Sequence, residues 1–118
     1  MVRVNSMYYK TFNVKQDSPT VALAIANIEI EINVCRLEGI KVLKIIHGYG
    51  SHGTGGEIKR ALGPWLKINK RKHFIQDYIM GETFPTSPRA KFFKEICPEI
   101  MGDAELYYAN PGVTILLL

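Results

Sequence analysis

Hydrophobic and polar positions set out the elements in order. Tyr8–Val14 is dominated by β-favouring Tyr, Thr, Phe and Val, which predicts a first strand. Ser18-Pro19 supplies a helix start, a hydroxyl N-cap followed by proline at the first helical position. The stretch TVALAIANIEIEINVCRLEG then carries two periods at once. Ile28, Ile30, Ile32 and Val34 alternate with polar residues as in a half-buried strand, whereas Val21, Ile25, Ile28, Ile32 and Cys35 recur at helical spacing. So long an unbroken run, closed by Gly39, exceeds an ordinary strand, and the spacing predicts a helix over 19–38.

Lys41–Ile46 is β-branched, apolar and short enough for a buried strand. HGYGSHGTGG, residues 47–56, is dense in glycine. In EIKRALGPWLKI, Ile58, Leu62, Trp65 and Leu66 fall on one helical face, and Pro64 predicts a kink or an early stop. Residues 72–84, with Phe74, Ile75, Tyr78 and Ile79, read as a strand closed by Gly81 and Pro85. PTSPRAKFFKEICPEIMGD has caps and breakers at both ends, which predicts a short helix within a longer connection. Asn110-Pro111-Gly112 signals a turn, and the closing VTILLL is a strand that must be buried. Strand-helix-strand-helix-strand-(helix)-strand predicts an α/β fold with helices packed on a mixed sheet of four strands.

Composition narrows this to one globular domain spanning 1–118. The 118 residues are 47% apolar and 22% charged, which excludes disordered, collagen-like and coiled-coil classes. Fifteen Lys+Arg against eleven Asp+Glu leave +4, a mildly basic balance compatible with a polyanionic partner. Cys35 and Cys97 stand far apart, which fits a reducing compartment and neither a disulfide framework nor a metal cluster. MVRVNSMYYK lacks the apolar stretch of a signal peptide, and no run approaches a membrane span, so a cytoplasmic protein without membrane contact is expected.

The strongest chemical signal is a strand, a glycine loop and a helix in succession. Gly48, Gly50, Gly53, Gly55 and Gly56 crowd five glycines into nine positions, where one or two would serve a tight connection. Such a loop allows close backbone approach to a ligand and opens onto a helix start, where free N–H groups favour an anion. Lys59 and Arg60 lie one turn further in, and Ser51 and Thr54 add hydroxyls. A phosphate or phosphodiester is therefore the expected ligand. Gly48-Tyr49-Gly50-Ser51-His52-Gly53 fits G-x-G-x-x-G, but a long helix precedes the strand and no acidic ribose partner stands at the right offset. Gly53-Thr54-Gly55 lacks the lysine of a P-loop. His47 reads two ways, as an acid–base group at a phosphodiester or as a strand-end histidine satisfied by the backbone; His52 reads as a solvated side chain.

KVLKIIHGYGSHGTGGEIKRALGPWL resembles the second signature of the Smr (small MutS-related) domain, a strand ending in I-H-G-x-G before a Gly/Ser/Thr-rich loop. NPGVTILLL is similar to that family's last strand, and the 19–38 helix sits where the family has its first. The resemblance implies a two-layer α/β fold, similar to the C-terminal domain of translation initiation factor three. It also implies nucleic-acid binding, with nicking endonuclease activity in some members and links to DNA repair. The family's first signature, L-D-L-H-G, is absent: Asn13, Lys15 and Gln16 stand where its aspartate, histidine and glycine would be. Lysine keeps affinity for phosphate without titrating near neutral pH.

Lys59, Arg60, Lys67, Lys70, Arg71 and Lys72 put six of the fifteen basic residues into fourteen positions, followed by His73. Beside the loop, such a stretch suits a DNA or RNA backbone, and Tyr49 suits stacking on an unpaired base. His47, His52 and His73 have no ligand spacing, and Glu29 and Glu31 would diverge on a helix; Mg²⁺ recruited with the substrate is the one cofactor compatible with the loop. The expectation is a nucleic-acid binder using residues 47–56 with Lys15, Arg60 and the 67–73 basic stretch; its rivals are a nicking endonuclease with His47 as acid–base group and a small phosphate- or nucleotide-binding regulatory module.

Overall fold

The structure, a computed structural model, describes residues 8–16, 18, 20–49 and 54–118, and only the backbone at 54 and 55. Among these, β1 (Tyr9–Asn13), α1 (Val21–Glu38), β2 (Val42–Ile46), α2 (Thr54–Arg71), β3 (Asp77–Met80), α3 (Ala90–Ile96) and β4 (Val113–Leu117) follow in the expected order. The sheet runs β1-β2-β4-β3, with β1 and β2 parallel and the other pairs antiparallel. It is mixed, as read from the sequence.

Tertiary packing settles the double period of α1. Ala24, Ile28, Ile32 and Cys35 are fully buried, whereas Ile30, which a strand would have placed beside them, is 61% exposed. The cap differs from expectation. Thr20, in extended conformation, accepts from the Leu23 N–H at 3.1 Å. The Ser18 hydroxyl instead accepts from Asn27 Nδ2 at 3.1 Å, and Pro19 lies outside the described residues. Gly39, at φ 78°, closes the helix in the left-handed conformation that favours glycine.

Pro64 neither stops nor ends α2, which runs on to Arg71. Pro64 and Arg60 are both exposed, so the carbonyl freed by the missing N–H is on the side open to water. The following strand is shorter than 72–84, because residues 72–74 are used to end the helix. His73 at φ 63° takes the position usually held by glycine, with Phe74 N bonded to Asn69 O and His73 N to Lys70 O.

The faces of the sheet carry separate cores. Leu43, Ile45 and Leu116 pack with α1 and α2, as the two-layer expectation requires. On the opposite face, Val42, Ile79, Val113, Ile115 and Leu117 are covered by Phe84, Phe93, Ile100 and Leu106 from α3 and the short 3₁₀ turns around it. The connection between β3 and β4 is thus a second cover. It also neutralises Lys44, buried in the central strand β2, whose Nζ pairs with Asp103 at 2.7 Å and with Glu105. Tyr9 Oη donates to the same Asp103 at 2.5 Å.

Candidate nucleic-acid interface

Because β1 and β2 are parallel, they finish together: Asn13 is level with Ile46, and Val14 N donates to Ile46 O at 3.0 Å. β4 begins at this end and β3 finishes there, with Ile46 opposite Val113 and Met80 opposite Thr114. Lys15, His47-Gly48-Tyr49, Gly81-Glu82 and Asn110–Gly112 therefore converge where both long helices start. The carboxyl ends of parallel strands are where ligands bind on open α/β sheets.

The start of the glycine loop is locked to the turn before β4. His47 N and Gly48 N both donate to the Gly112 carbonyl, at 2.9 and 3.0 Å, and Gly112 N donates to Asn110 Oδ1 at 2.9 Å. Gly48 has φ 74°, so the chain turns here as a glycine permits. Close approach of the loop backbone to a ligand is the expectation, but these two amides are spent on the Gly112 carbonyl. Tyr49 stays 61% exposed, with its ring edge 3.3 Å from where a Gly112 Cβ would lie. Gly50, Ser51, His52 and Gly53 lie outside the described residues. Thr54, Gly55 and Gly56 form the first turn of α2 rather than loop.

His47 is completely buried. Its Nδ1 lies 2.6 Å from the Gly48 carbonyl, which can only accept, so Nδ1 carries the proton. Nε2 then accepts from the Thr114 hydroxyl at 2.9 Å. Burial, reinforced by the charge of Lys59, holds the imidazole below its ordinary pKa and keeps it neutral. Of the two readings of His47, this is the satisfied strand-end histidine: it joins β2, β4 and the loop start and presents no free nitrogen.

The expected cations divide. Lys15 and Arg60 are exposed at or near this end of the sheet. Lys59 is tied to Glu82 at 2.6 Å and to the Pro111 carbonyl at 2.9 Å, bracing α2 against the turn. Lys67, Lys70, Arg71, Lys72 and His73 are not beside the loop. The rise of the helix carries Lys67 about 20 Å from its first residue. Lys70 pairs with Asp77 at 2.9 Å, which also holds Arg89 at 2.5 Å.

Glu29 and Glu31 diverge as expected, Glu29 accepting from Trp65 Nε1 at 2.9 Å. Among the described residues, Glu31, Cys35 and Glu38 alone cluster at metal-ligand spacing. The Lys10 ammonium sits among them, 2.7 Å from Glu31 and 2.9 Å from Glu38, so the group is an ion-pair network. Both thiols are buried, and burial pushes the pKa of Cys35 and Cys97 up to about 12, which leaves them inert. Two features escaped sequence reading: the Lys44 cluster and the Asn13 Oδ1, shut from solvent without a hydrogen-bond partner among the described residues. A lysine inside the alternation of β2 was the available signal for the first; the second left none.

The Smr domain model matches residues 19–81, more than half of the chain and including the strand, loop and helix just described. The chain belongs to the Smr domain family. The crystal structure of the Smr domain of Thermus thermophilus MutS2 is similar over 94% of this chain and 96% of that one, with TM-score 0.53 and 18% identity, a likeness of fold. No curated protein matches the sequence. Among the described residues, no helix of this Smr domain is long and apolar enough to cross a membrane.

Proposed function

We propose that this Smr domain binds nucleic acid at the carboxyl end of its parallel strands, through phosphate contacts that carry little sequence information. The observation behind this reading is the convergence there of Lys15, exposed Tyr49, the start of α2 and Arg60 around a strand end braced by Gly112. Lys15 and Arg60 supply charge, the first turn of α2 supplies N–H groups and the positive end of its dipole, and Tyr49 offers a ring face to a base. Family membership adds weight, since the Smr resemblance itself implies nucleic-acid binding.

Binding rather than cleavage is the function the geometry favours. Phosphodiester hydrolysis by His47 needs an imidazole nitrogen within reach of the reacting oxygen. Both nitrogens of His47 are occupied, and the residue is fully buried at the end of β2. Its part is to position the loop start. Mg²⁺ arriving with the phosphates would need few protein ligands, and Glu57 stands in the first turn of α2.

The test is a fluorescence-anisotropy titration of the full chain with labelled DNA and RNA oligonucleotides at several salt concentrations. Binding should weaken steeply with salt. Lys15→Ala and Arg60→Ala should each lower the slope of log K against log salt by about 0.7 on a single strand. Binding that is absent, or indifferent to salt, overturns the reading.

A further inference from the structure

The basic residues of α2 fall into two lines. Lys59 and Lys70, eleven apart, share one flank and are both paired, to Glu82 and Asp77 on the β3 side. Arg60, Lys67 and Arg71 follow at i, i+7 and i+11. Ile58, Leu62 and Leu66 are buried on the opposite side, so these three fall along the middle of the solvent face. All three are exposed, and none has an acidic partner among the described residues. Gly63 and the exposed Pro64 put no long side chain between Arg60 and Lys67, and Glu57 is the one acid on the same face. The paired line secures the helix; the other is left to solvent.

Resting on the reading above, we propose that this ridge is a backbone track, continuing the sheet-end site along α2 and selecting a polynucleotide strand over mono- or dinucleotides. From Arg60 to Arg71 the helix rises about 17 Å. At the axial rise of about 3.4 Å per nucleotide of a stacked strand, that spans roughly five nucleotides. A mononucleotide held at the sheet end stops short of Lys67, which the helix carries about 20 Å from its first residue. A strand of six or more residues engages Lys67 and Arg71 as well. The stretch 67–73 thus acts as the far end of an extended contact rather than as a patch around the loop.

The experiment compares wild type, Lys67→Ala/Arg71→Ala and the charge-keeping Lys67→Arg/Arg71→Lys on single-stranded oligonucleotides of about three and about twelve residues, with Lys91→Ala on α3 as control. On the longer strand the double alanine variant should lose about 1.4 from the salt slope, two contacts at about 0.7 each, and bind roughly fifty-fold more weakly near 50 mM salt. On the short strand it should match wild type within two-fold, and the charge-keeping variant and the control should match wild type on both. If the double alanine variant holds the long strand with unchanged affinity and slope, the track is refuted while the sheet-end site stands. If it loses both lengths equally, the effect is not a track and the proposal also fails. If wild type binds neither length, the track and the sheet-end reading fall together.

Discussion

Replacing His47 tests whether the residue at the heart of the family signature works as structure. The ring is fully buried and makes two hydrogen bonds, to the Gly48 carbonyl at 2.6 Å and the Thr114 hydroxyl at 2.9 Å. His47→Ala leaves the buried Thr114 hydroxyl and the part-buried Gly48 carbonyl without a mate, at about 1–3 kcal/mol each, and opens a cavity as well. A loss of about 4 kcal/mol follows, close to 15 °C in melting temperature for a chain of this size. His47→Gln restores a donor and an acceptor and should fall between alanine and wild type. The second signature is pH. The folded pKa lies below the ordinary 6.5, because burial, helped by Lys59, disfavours the cation. Between the folded value and 6.5 the unfolded chain binds the extra proton. Stability is therefore complete above about 6.5 and lost as pH falls, by up to about 1.4 kcal/mol per unit. Asp103 titrates lower: burial alone would raise its pKa, but Lys44 and Tyr9 hold it below 3.8, so its contribution is lost only in stronger acid. Thermal melts by circular dichroism between pH 4.5 and 7.5 read both effects. An unchanged melting temperature for His47→Ala refutes the structural role. So does a wild-type slope between pH 5 and 6.5 that His47→Gln shares.

Gly81→Ala would drive its Cβ into the Asn110 carbonyl and Val113 Cγ2, with Val113 O at 2.8 Å, so it should cost about 3 kcal/mol or more; Gly63→Ala, with nothing within 4 Å, should be stabilising by up to about 1 kcal/mol in the same urea titration. Lys44→Met strands the half-buried Asp103 and should cost about 3 kcal/mol, with amide exchange rising first at 98–107 because that segment loses its anchor on the sheet. His73→Gly removes a left-handed non-glycine residue at φ 63° and should raise stability by about 1 kcal/mol, read as a higher melting temperature.

Sequence alone determined the order of the elements, the mixed sheet and the family, because each rests on local pattern: turn residues, apolar runs and the IHGYG strand end. It also contained both readings of His47, though not the choice between them. That choice lay in Thr114 and Gly112, brought beside His47 by β4 pairing with β2. The basic stretch is contiguous in sequence, yet the length of α2 carries its end away from the loop, and ion pairing separates bound cations from free ones. Which face Ile30 takes, which hydroxyl caps α1 and where the last strands begin depend on what packs against them. The same holds for Lys44, whose charge is acceptable inside the sheet only because a connection nearly sixty residues later folds Asp103 and Glu105 over it. Local propensity is written residue by residue, whereas burial and pairing belong to partners distant in the chain, and these decided what each candidate residue can do.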